Sequence, residues 1–363
     1  MRLFALALTL LFPATILAAP ADFDGDGKSD FTLIRSFDEN ECLGGPVAPP
    51  CPAFFSTVEY SWLTKPSKQS SPILSTISTA VGGPGIAGQF TLDANSAADL
   101  DNDGITDRML IYKRQVADDE LPQLLVQASR FGSRTTQLLV GDEPPGAKRD
   151  RPIVVFADVH GDGSDDPLIF SFNLGIAQWY VGLPDVDLEQ LFWGLSGDVP
   201  VPADYSGDGR AEIAVWRNSD GYWWIRDLIR REDRGVQWGL PGDLPMPGDY
   251  DGDKKADLAV WRPSDGYWHI LTSTSGYNPN QALAVQFGLP REDNHTFGYS
   301  DWDIPVKGDW DGDGKLDLAV YRPQSGTWFY RRSSDLKIIS VQWGLQSDLP
   351  LGIGISDRRG LFE

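Results

Sequence analysis

Six short segments of the chain carry acidic side chains at one repeated, alternating spacing. Each segment begins with Asp, has Asp at its fifth position and Asp or Glu at its ninth, and contains Gly at its fourth or sixth position. Carboxylates at alternate positions of a tight turn can converge on one point, and such crowding is costly unless a cation neutralises it. We call these segments loops 1 to 6; they begin at Asp22, Asp99, Asp158, Asp204, Asp249 and Asp309.

The donor atoms of the loops indicate which cation they would bind. Sets of oxygen ligands select a hard ion, and the six to eight ligands of calcium suit them. The candidate side chains at positions 1, 3, 5 and 9 are Asp22, Asp24, Asp26 and Asp30 in loop 1; Asp99, Asp101, Asp103 and Asp107 in loop 2; Asp158, His160, Asp162 and Asp166 in loop 3; Asp204, Ser206, Asp208 and Glu212 in loop 4; Asp249, Asp251, Asp253 and Asp257 in loop 5; and Asp309, Asp311, Asp313 and Asp317 in loop 6. His160 and Ser206 each replace a carboxylate, which leaves the filling of loops 3 and 4 open.

The loops differ from the calcium loop of the EF-hand, which lies between helices and needs a bidentate Glu at position 12. Each loop here runs directly into a short apolar segment, whose pattern predicts a strand buried on both faces. Position 12 is therefore apolar in every copy: Leu33, Leu110, Ile169, Val215, Val260 and Val320.

Each loop belongs to a repeat with about four predicted strands. The starts of loops 3, 4 and 5 lie 46 and 45 residues apart, which is the length of one propeller blade. The pattern predicts an all-β protein, a β-propeller of six blades with calcium loops between strands; seven blades is the alternative if an insertion hides a degenerate repeat. Residues 347–352 match the strand that is missing before loop 1, so joining the chain ends would complete a blade and close the ring.

The loop and strand at 249–263, Asp-Tyr-Asp-Gly-Asp-Lys-Lys-Ala-Asp-Leu-Ala-Val-Trp-Arg-Pro, resemble the FG-GAP/VCBS repeats also found in integrin alpha subunits. The resemblance implies a propeller with one calcium ion in each loop, bound by the side chains at positions 1, 3, 5 and 9. It also implies that the backbone carbonyl at position 7 is a ligand. The position 7 residues are Lys28, Ile105, Ser164, Arg210, Lys255 and Lys315.

The N-terminus is typical of an exported protein. Arg2, the apolar run at residues 3–16 and the small residues at 18–21 predict a signal peptide over residues 1–21, which leaves 22–363 as a single propeller domain. No later segment is long and apolar enough to span a membrane. Cys42 and Cys51 flank a Gly/Pro-rich stretch and are predicted to form a disulfide, with two reduced thiols as the alternative. The predicted location is secreted or periplasmic.

The formal charge of −21 makes nucleic acid an unfavourable partner. A propeller offers a broad face made of loops, and loops carry recognition, so we predict a monomeric binding or adhesion module for a glycan or a protein. Trp223, Trp268 and Trp328 occupy equivalent positions and could stack on sugars, with packing between blades as the alternative.

Two alternatives to a binding module stay open: a propeller-type polysaccharide lyase or hydrolase, and a structural protein of the cell envelope. Enzymes are disfavoured and no catalytic residue is assigned, because the sequence contains no Gly-Xaa-Ser-Xaa-Gly motif or evident Ser-His-Asp arrangement. Its three histidines lie in unrelated repeat positions: His160, His269 and His295.

Overall fold

The computed structural model describes residues 22, 26–38, 56–65, 73–81, 97–100, 102–103, 105–114, 123–129, 135–142, 153–173, 175–183, 186–291, 302–345 and 348–350. The predicted signal peptide, the predicted disulfide between Cys42 and Cys51, and the residues Asp24, Asp101 and His295 lie outside these ranges. Within them, no helix has the length and apolar character needed to cross a membrane.

The described residues form six antiparallel sheets of four strands each. Sheet 1 contains β1 (Phe31–Asp38), β2 (Ser56–Lys65), β3 (Ile73–Val81) and β24 (Leu349–Pro350); sheet 2 contains β4 (Ala97–Ala98), β5 (Asp107–Arg114), β6 (Gln123–Ser129) and β7 (Thr135–Asp142); sheet 3 contains β8 (Ile153–Ala157), β9 (Asp166–Asn173), β10 (Ile176–Leu183) and β11 (Val186–Leu195). Sheet 4 contains β12 (Asp198–Pro200), β13 (Ile213–Arg217), β14 (Tyr222–Asp227) and β15 (Glu232–Gln237); sheet 5 contains β16 (Leu244–Pro245), β17 (Leu258–Arg262), β18 (Tyr267–Leu271) and β19 (Leu283–Gln286); sheet 6 contains β20 (Ile304–Val306), β21 (Leu318–Arg322), β22 (Thr327–Arg331) and β23 (Ile338–Gln342).

Burial within a sheet follows the residue types of its strands. The strand after each of loops 4, 5 and 6 is buried at four consecutive positions, which confirms the prediction from its apolar run. The next strand alternates between buried and partly exposed residues, and the outermost strands β15, β19 and β23 are mostly exposed. Loops 4, 5 and 6 therefore each lead into a strand that is buried over four residues.

The two ends of the chain meet in sheet 1. The C-terminal strand β24 pairs antiparallel with β1, with Leu33 opposite Pro350 and Ile34 opposite Leu349. The pairing covers the edge of β1 that would otherwise carry unpaired backbone groups. The predicted closure of the ring by the chain ends is confirmed.

The six loops are joined in a closed circle by backbone hydrogen bonds. In each case the N–H at position 8 of one loop donates to the carbonyl at position 1 of the preceding loop. The donor–acceptor pairs are Thr106 to Asp22 at 2.7 Å, Asp165 to Asp99 at 2.7 Å, Ala211 to Asp158 at 2.6 Å, Ala256 to Asp204 at 2.7 Å, Leu316 to Asp249 at 2.8 Å and Ser29 to Asp309 at 2.8 Å. The sheets consequently radiate from a common axis, which confirms the predicted all-β propeller arrangement.

The hydrophobic core lies between neighbouring sheets. Trp216 and Trp223 of sheet 4 pack with Leu258 and Val260 of sheet 5, and sheet 5 packs on sheet 6 in the same manner. Because each sheet buries one face against the next, the order of the sheets is determined by side-chain packing as well as by the loop circle.

The three repeated tryptophans belong to this core. Trp223, Trp268 and Trp328 are 0%, 0% and 2% exposed. Each indole N–H donates to a backbone carbonyl of the outer segment of its own sheet, at 2.9, 3.0 and 2.8 Å. Their proposed role in stacking on sugars is therefore wrong, and the packing alternative is confirmed.

Candidate metal centres

The first Asp of each loop holds the turn together through backbone hydrogen bonds. In loop 6, Oδ1 of Asp309 accepts the N–H of Gly312 at 2.7 Å and Oδ2 accepts that of Gly314 at 2.8 Å. Loops 3, 4 and 5 repeat this pattern through Asp158, Asp204 and Asp249. The described parts of loops 1 and 2 show the same kind of contact to Asp22 and Asp99. The carboxylate at position 1 therefore shapes the loop from within.

The Asp at position 5 fixes the second half of each loop. Its Oδ1 accepts the backbone N–H of position 7 in all six copies, at distances from 2.9 to 3.1 Å. The acceptors are Asp26, Asp103, Asp162, Asp208, Asp253 and Asp313, and the donors are Lys28, Ile105, Ser164, Arg210, Lys255 and Lys315. This contact directs the position 7 backbone, which the family resemblance implies as a ligand.

In loops 3 to 6, the acidic residue at position 9 is the most deeply buried member of the set. In loop 5, the carboxylate of Asp257 accepts the N–H of Tyr250 at 2.8 Å and that of Ser273 at 2.7 Å. Asp317 of loop 6 has equivalent donors in Trp310 and Ser333. Burial, and then the nearby carboxylates, raise the pKa of both Asp257 and Asp317 to about 6 despite these hydrogen bonds. A nearby cation would favour their charged form.

The Asp at position 3 connects its loop to the hairpin that follows the third strand of the same sheet. The Thr274 hydroxyl lies 2.5 Å from Oδ2 of Asp251, and the Ser334 hydroxyl lies 2.5 Å from Oδ2 of Asp311. Oδ1 of Asp311 is buried and lacks a hydrogen-bond partner among the described residues, although the Asp311 side chain is only 3% exposed. Such an oxygen is one that a bound cation would satisfy.

Three of the loops bring carboxylates close enough to bind one ion. One oxygen from each residue of a group lies within 4.8 Å of the others in Asp249, Asp251 and Asp257, in Asp309, Asp311 and Asp317, and in Asp204, Asp208 and Glu212. Positions 1, 3 and 9 thus converge in loops 5 and 6. In loop 4, where position 3 is Ser206, the third acid of the group is Asp208 at position 5. Asp253 and Asp313 lie outside these groups. These acidic clusters could hold metal ions.

Loops 1, 2 and 3 form no comparable group in the described part of the chain, which lacks Asp24 and Asp101. Asp30 and Asp166 are buried, as position 9 is elsewhere, and Asp107 begins β5. In loop 3, Nδ1 of His160 lies 2.7 Å from Oδ2 of Asp166. The histidine that stands at position 3 therefore contacts the acid at position 9 of its own loop.

Position 7 has a role between loops that the sequence did not indicate. The Lys315 side chain crosses the preceding loop, where its Nζ donates to the carbonyl of Asp251 at 2.8 Å. A Cβ on Gly252 would lie 2.6 Å from Cε of Lys315, and Gly252 also has a φ of 88°. The same crowding occurs between Lys255 and Gly207, and between Arg210 and Gly161. Glycine at position 4 therefore makes room for the side chain of the next loop.

The six four-stranded sheets define this chain as a β-propeller, and its acidic loops could hold metal ions. No protein-family model matches the chain, and no curated protein matches it. Among solved structures it is similar to dihydro-heme d1 dehydrogenase NirN in complex with DHE, at 9% identity and a TM-score of 0.39, over 92% of this chain and 76% of that chain. A similarity this low does not assign a function to the chain.

Proposed function

We propose that the chain is an exported, calcium-binding β-propeller of the FG-GAP/VCBS type, which acts as a binding or adhesion module. The observation that carries this proposal is the closed circle of six acidic loops, each braced by its own Asp residues. In loops 4, 5 and 6 this arrangement brings one oxygen from each of three acidic side chains within 4.8 Å of the others.

The choice of calcium is supported by the chemistry of the oxygen atoms. Loops 5 and 6 offer four carboxylates each, and two of these carboxyls have a pKa near 6 because they are buried beside other acids. Calcium accepts six to eight oxygen ligands in flexible geometry, whereas magnesium demands a near-ideal octahedron. Binding should be modest in affinity, on the order of 10⁻⁴–10⁻³ M, as in other extracellular modules.

The proposed number of blades is six, within one domain over residues 22–363. This count is supported by the six four-stranded sheets. It is also supported by the six hydrogen bonds that join successive loops, the last of which joins loop 1 to loop 6. The pairing of β24 with β1 supports a ring that is closed by both chain ends. Export rests on the predicted signal peptide at residues 1–21.

A protein ligand is favoured over a glycan by the distribution of apolar surface. The repeated tryptophans are buried, whereas four leucines at equivalent positions, at the end of the outer strand or shortly after it, are 42–57% exposed. These are Leu195, Leu240, Leu289 and Leu345. Repeated apolar side chains at one end of successive sheets form a surface suited to protein contact.

The test is equilibrium dialysis of the full chain against calcium, with thermal unfolding in parallel. We expect uptake of several calcium ions per chain and a higher melting temperature in calcium, because the ions bind the folded loops and not the open chain. Magnesium at the same concentration is the control and should give a smaller shift. The proposal would be contradicted if the chain took up no calcium and its melting temperature were the same in calcium and in chelator.

A further inference from the structure

In loops 5 and 6, a hairpin hydroxyl contacts the aspartate at position 3. Loop 4 lacks both partners of this contact. Ser206 replaces the aspartate found as Asp251 and Asp311. The strand registers, Ile213 opposite Arg226 and Leu258 opposite Leu271, place Ile229 where loop 5 has Thr274. The hydroxyl partner has thus been lost together with the carboxylate that it holds elsewhere.

A guanidinium group contacts one acid of loop 4, Asp208, and the last residue of β14, Asp227. The Arg230 side chain lies 2.8 Å from Oδ2 of Asp208 and 2.7 Å from Oδ2 of Asp227. Backbone N–H groups of Ile229 and Arg230 donate to Oδ1 of Asp227 at 2.8 and 2.7 Å, so the hairpin fixes the residue that anchors the arginine. Arg230 is therefore built into the hairpin and directed to the loop.

We propose that Arg230 is the resident cation of loop 4 and that this loop takes no calcium ion in the native protein. The inference rests on the proposed calcium binding by the other loops. Asp208 is the residue that replaces position 3 in the acidic group of loop 4. Its Oδ1 accepts the N–H of Arg210 at 3.1 Å and its Oδ2 contacts Arg230, so both oxygens are engaged by the protein.

Loop 6 shows why an arginine near a loop does not by itself displace an ion. Nε of Arg332 lies 3.2 Å from Oδ2 of Asp311, an oxygen that the Ser334 hydroxyl also contacts. Oδ1 of Asp311 stays without a protein partner in the described structure. Loop 6 also keeps four acidic side chains, whereas loop 4 has three and an arginine. A permanently charged guanidinium that contacts Asp208 and Asp227 reduces the attraction of this loop for a divalent ion.

The test counts calcium ions bound to the full chain by equilibrium dialysis. The variant Ser206→Asp, Ile229→Thr, Arg230→Ser installs the residues of loop 5 in loop 4, and we expect it to bind one more ion than the unmodified chain. Asp208→Asn should leave the count unchanged, whereas Asp251→Asn in loop 5 should lower it by one. Arg226→Gln removes a neighbouring arginine that pairs with Asp233 at 2.7 Å, and it should leave the count unchanged.

The outcomes separate this inference from the proposed function. Loss of one ion in Asp208→Asn overturns the role of Arg230, as does a folded triple variant that gains none. If the triple variant fails to fold, the comparison of Asp208→Asn with Asp251→Asn decides. A triple variant that binds one ion when the unmodified chain binds none would support the role of Arg230 and contradict calcium loading elsewhere. No binding in either chain contradicts both.

Discussion

The hydroxyl of Thr274 lies 2.5 Å from Oδ2 of Asp251, although the two residues are separated by two strands of sheet 5. The backbone N–H of Thr274 points to the same oxygen at 3.3 Å. A hairpin two strands further along the chain therefore orients a candidate ligand in the loop. Calcium affinity should consequently depend on residues that are not themselves ligands.

Removal of this hydroxyl tests that dependence. In Thr274→Val, we expect weaker calcium binding by loop 5 and a loss of about 1.5–3 kcal/mol of stability, because a hydrogen bond to a charged group is lost. Urea unfolding with and without calcium would measure both effects. Thr327→Val serves as the control, because among the described residues the Thr327 hydroxyl has its hydrogen bonds with Ser325. Equal losses in the two variants would argue against a role for Thr274 at the loop.

The raised pKa values of Asp257 and Asp317 give the metal-free protein a defined pH dependence. Both pKa values are about 6 in the folded chain, against an ordinary value of 3.8. The folded state thus binds more protons than the unfolded state between these values, so the contribution of these groups to stability falls as pH rises from about 4 to about 6.

Calcium should oppose this loss, because it binds the deprotonated carboxylates. Its stabilising effect should therefore grow over the same pH window. Urea unfolding at several pH values, with and without calcium, would show the two trends. Asp257→Asn removes one of the two groups and should flatten the metal-free profile; an unchanged profile would contradict the assignment to Asp257.

Sheets 4, 5 and 6 each contain an arginine that pairs with a buried aspartate of the first strand or the residue before it. Arg262 makes two hydrogen bonds to Asp243, at 2.8 and 2.9 Å, and the Asp243 side chain is 1% exposed. Arg262→Leu should cost about 3–5 kcal/mol, because it leaves a buried charge without its partner. Lys337→Leu breaks the exposed pair with Asp335 and should cost far less, because solvent screens that pair. Similar costs for both in urea unfolding would contradict this account.

Lys254 occupies a position that favours glycine. Its φ is 67°, and position 6 is glycine in the other loops, with φ values of 82–90° at Gly27, Gly163, Gly209 and Gly314. Lys254→Gly should relieve strain of about 1 kcal/mol and raise the melting temperature. Lys255→Gly is a contrasting variant, because Lys255 has no positive φ and packs on Gly207; it should lower the melting temperature. A lower melting temperature for Lys254→Gly would overturn the prediction.

The sequence was sufficient for everything that depends on a few consecutive residues. The position of each loop and the buried strand Leu258–Arg262 follow from spacing within about a dozen residues. The match between the two chain ends was also readable, because β24 repeats the Asp-apolar-Pro segment that precedes loops 4, 5 and 6. Local backbone geometry restricts such elements strongly, so their pattern predicts them.

Tertiary structure decided which side chains share a site. Thr274 and Arg230 reach the loops only because the strand registers bring each hairpin back to its own loop, and no local spacing encodes that distance. The burial of Trp268 was likewise decided by the packing of sheet 5 on sheet 6. An aromatic residue in a strand has the same sequence pattern whether its exposed face meets solvent or a neighbouring sheet, so only the assembled ring distinguishes a core side chain from a binding one.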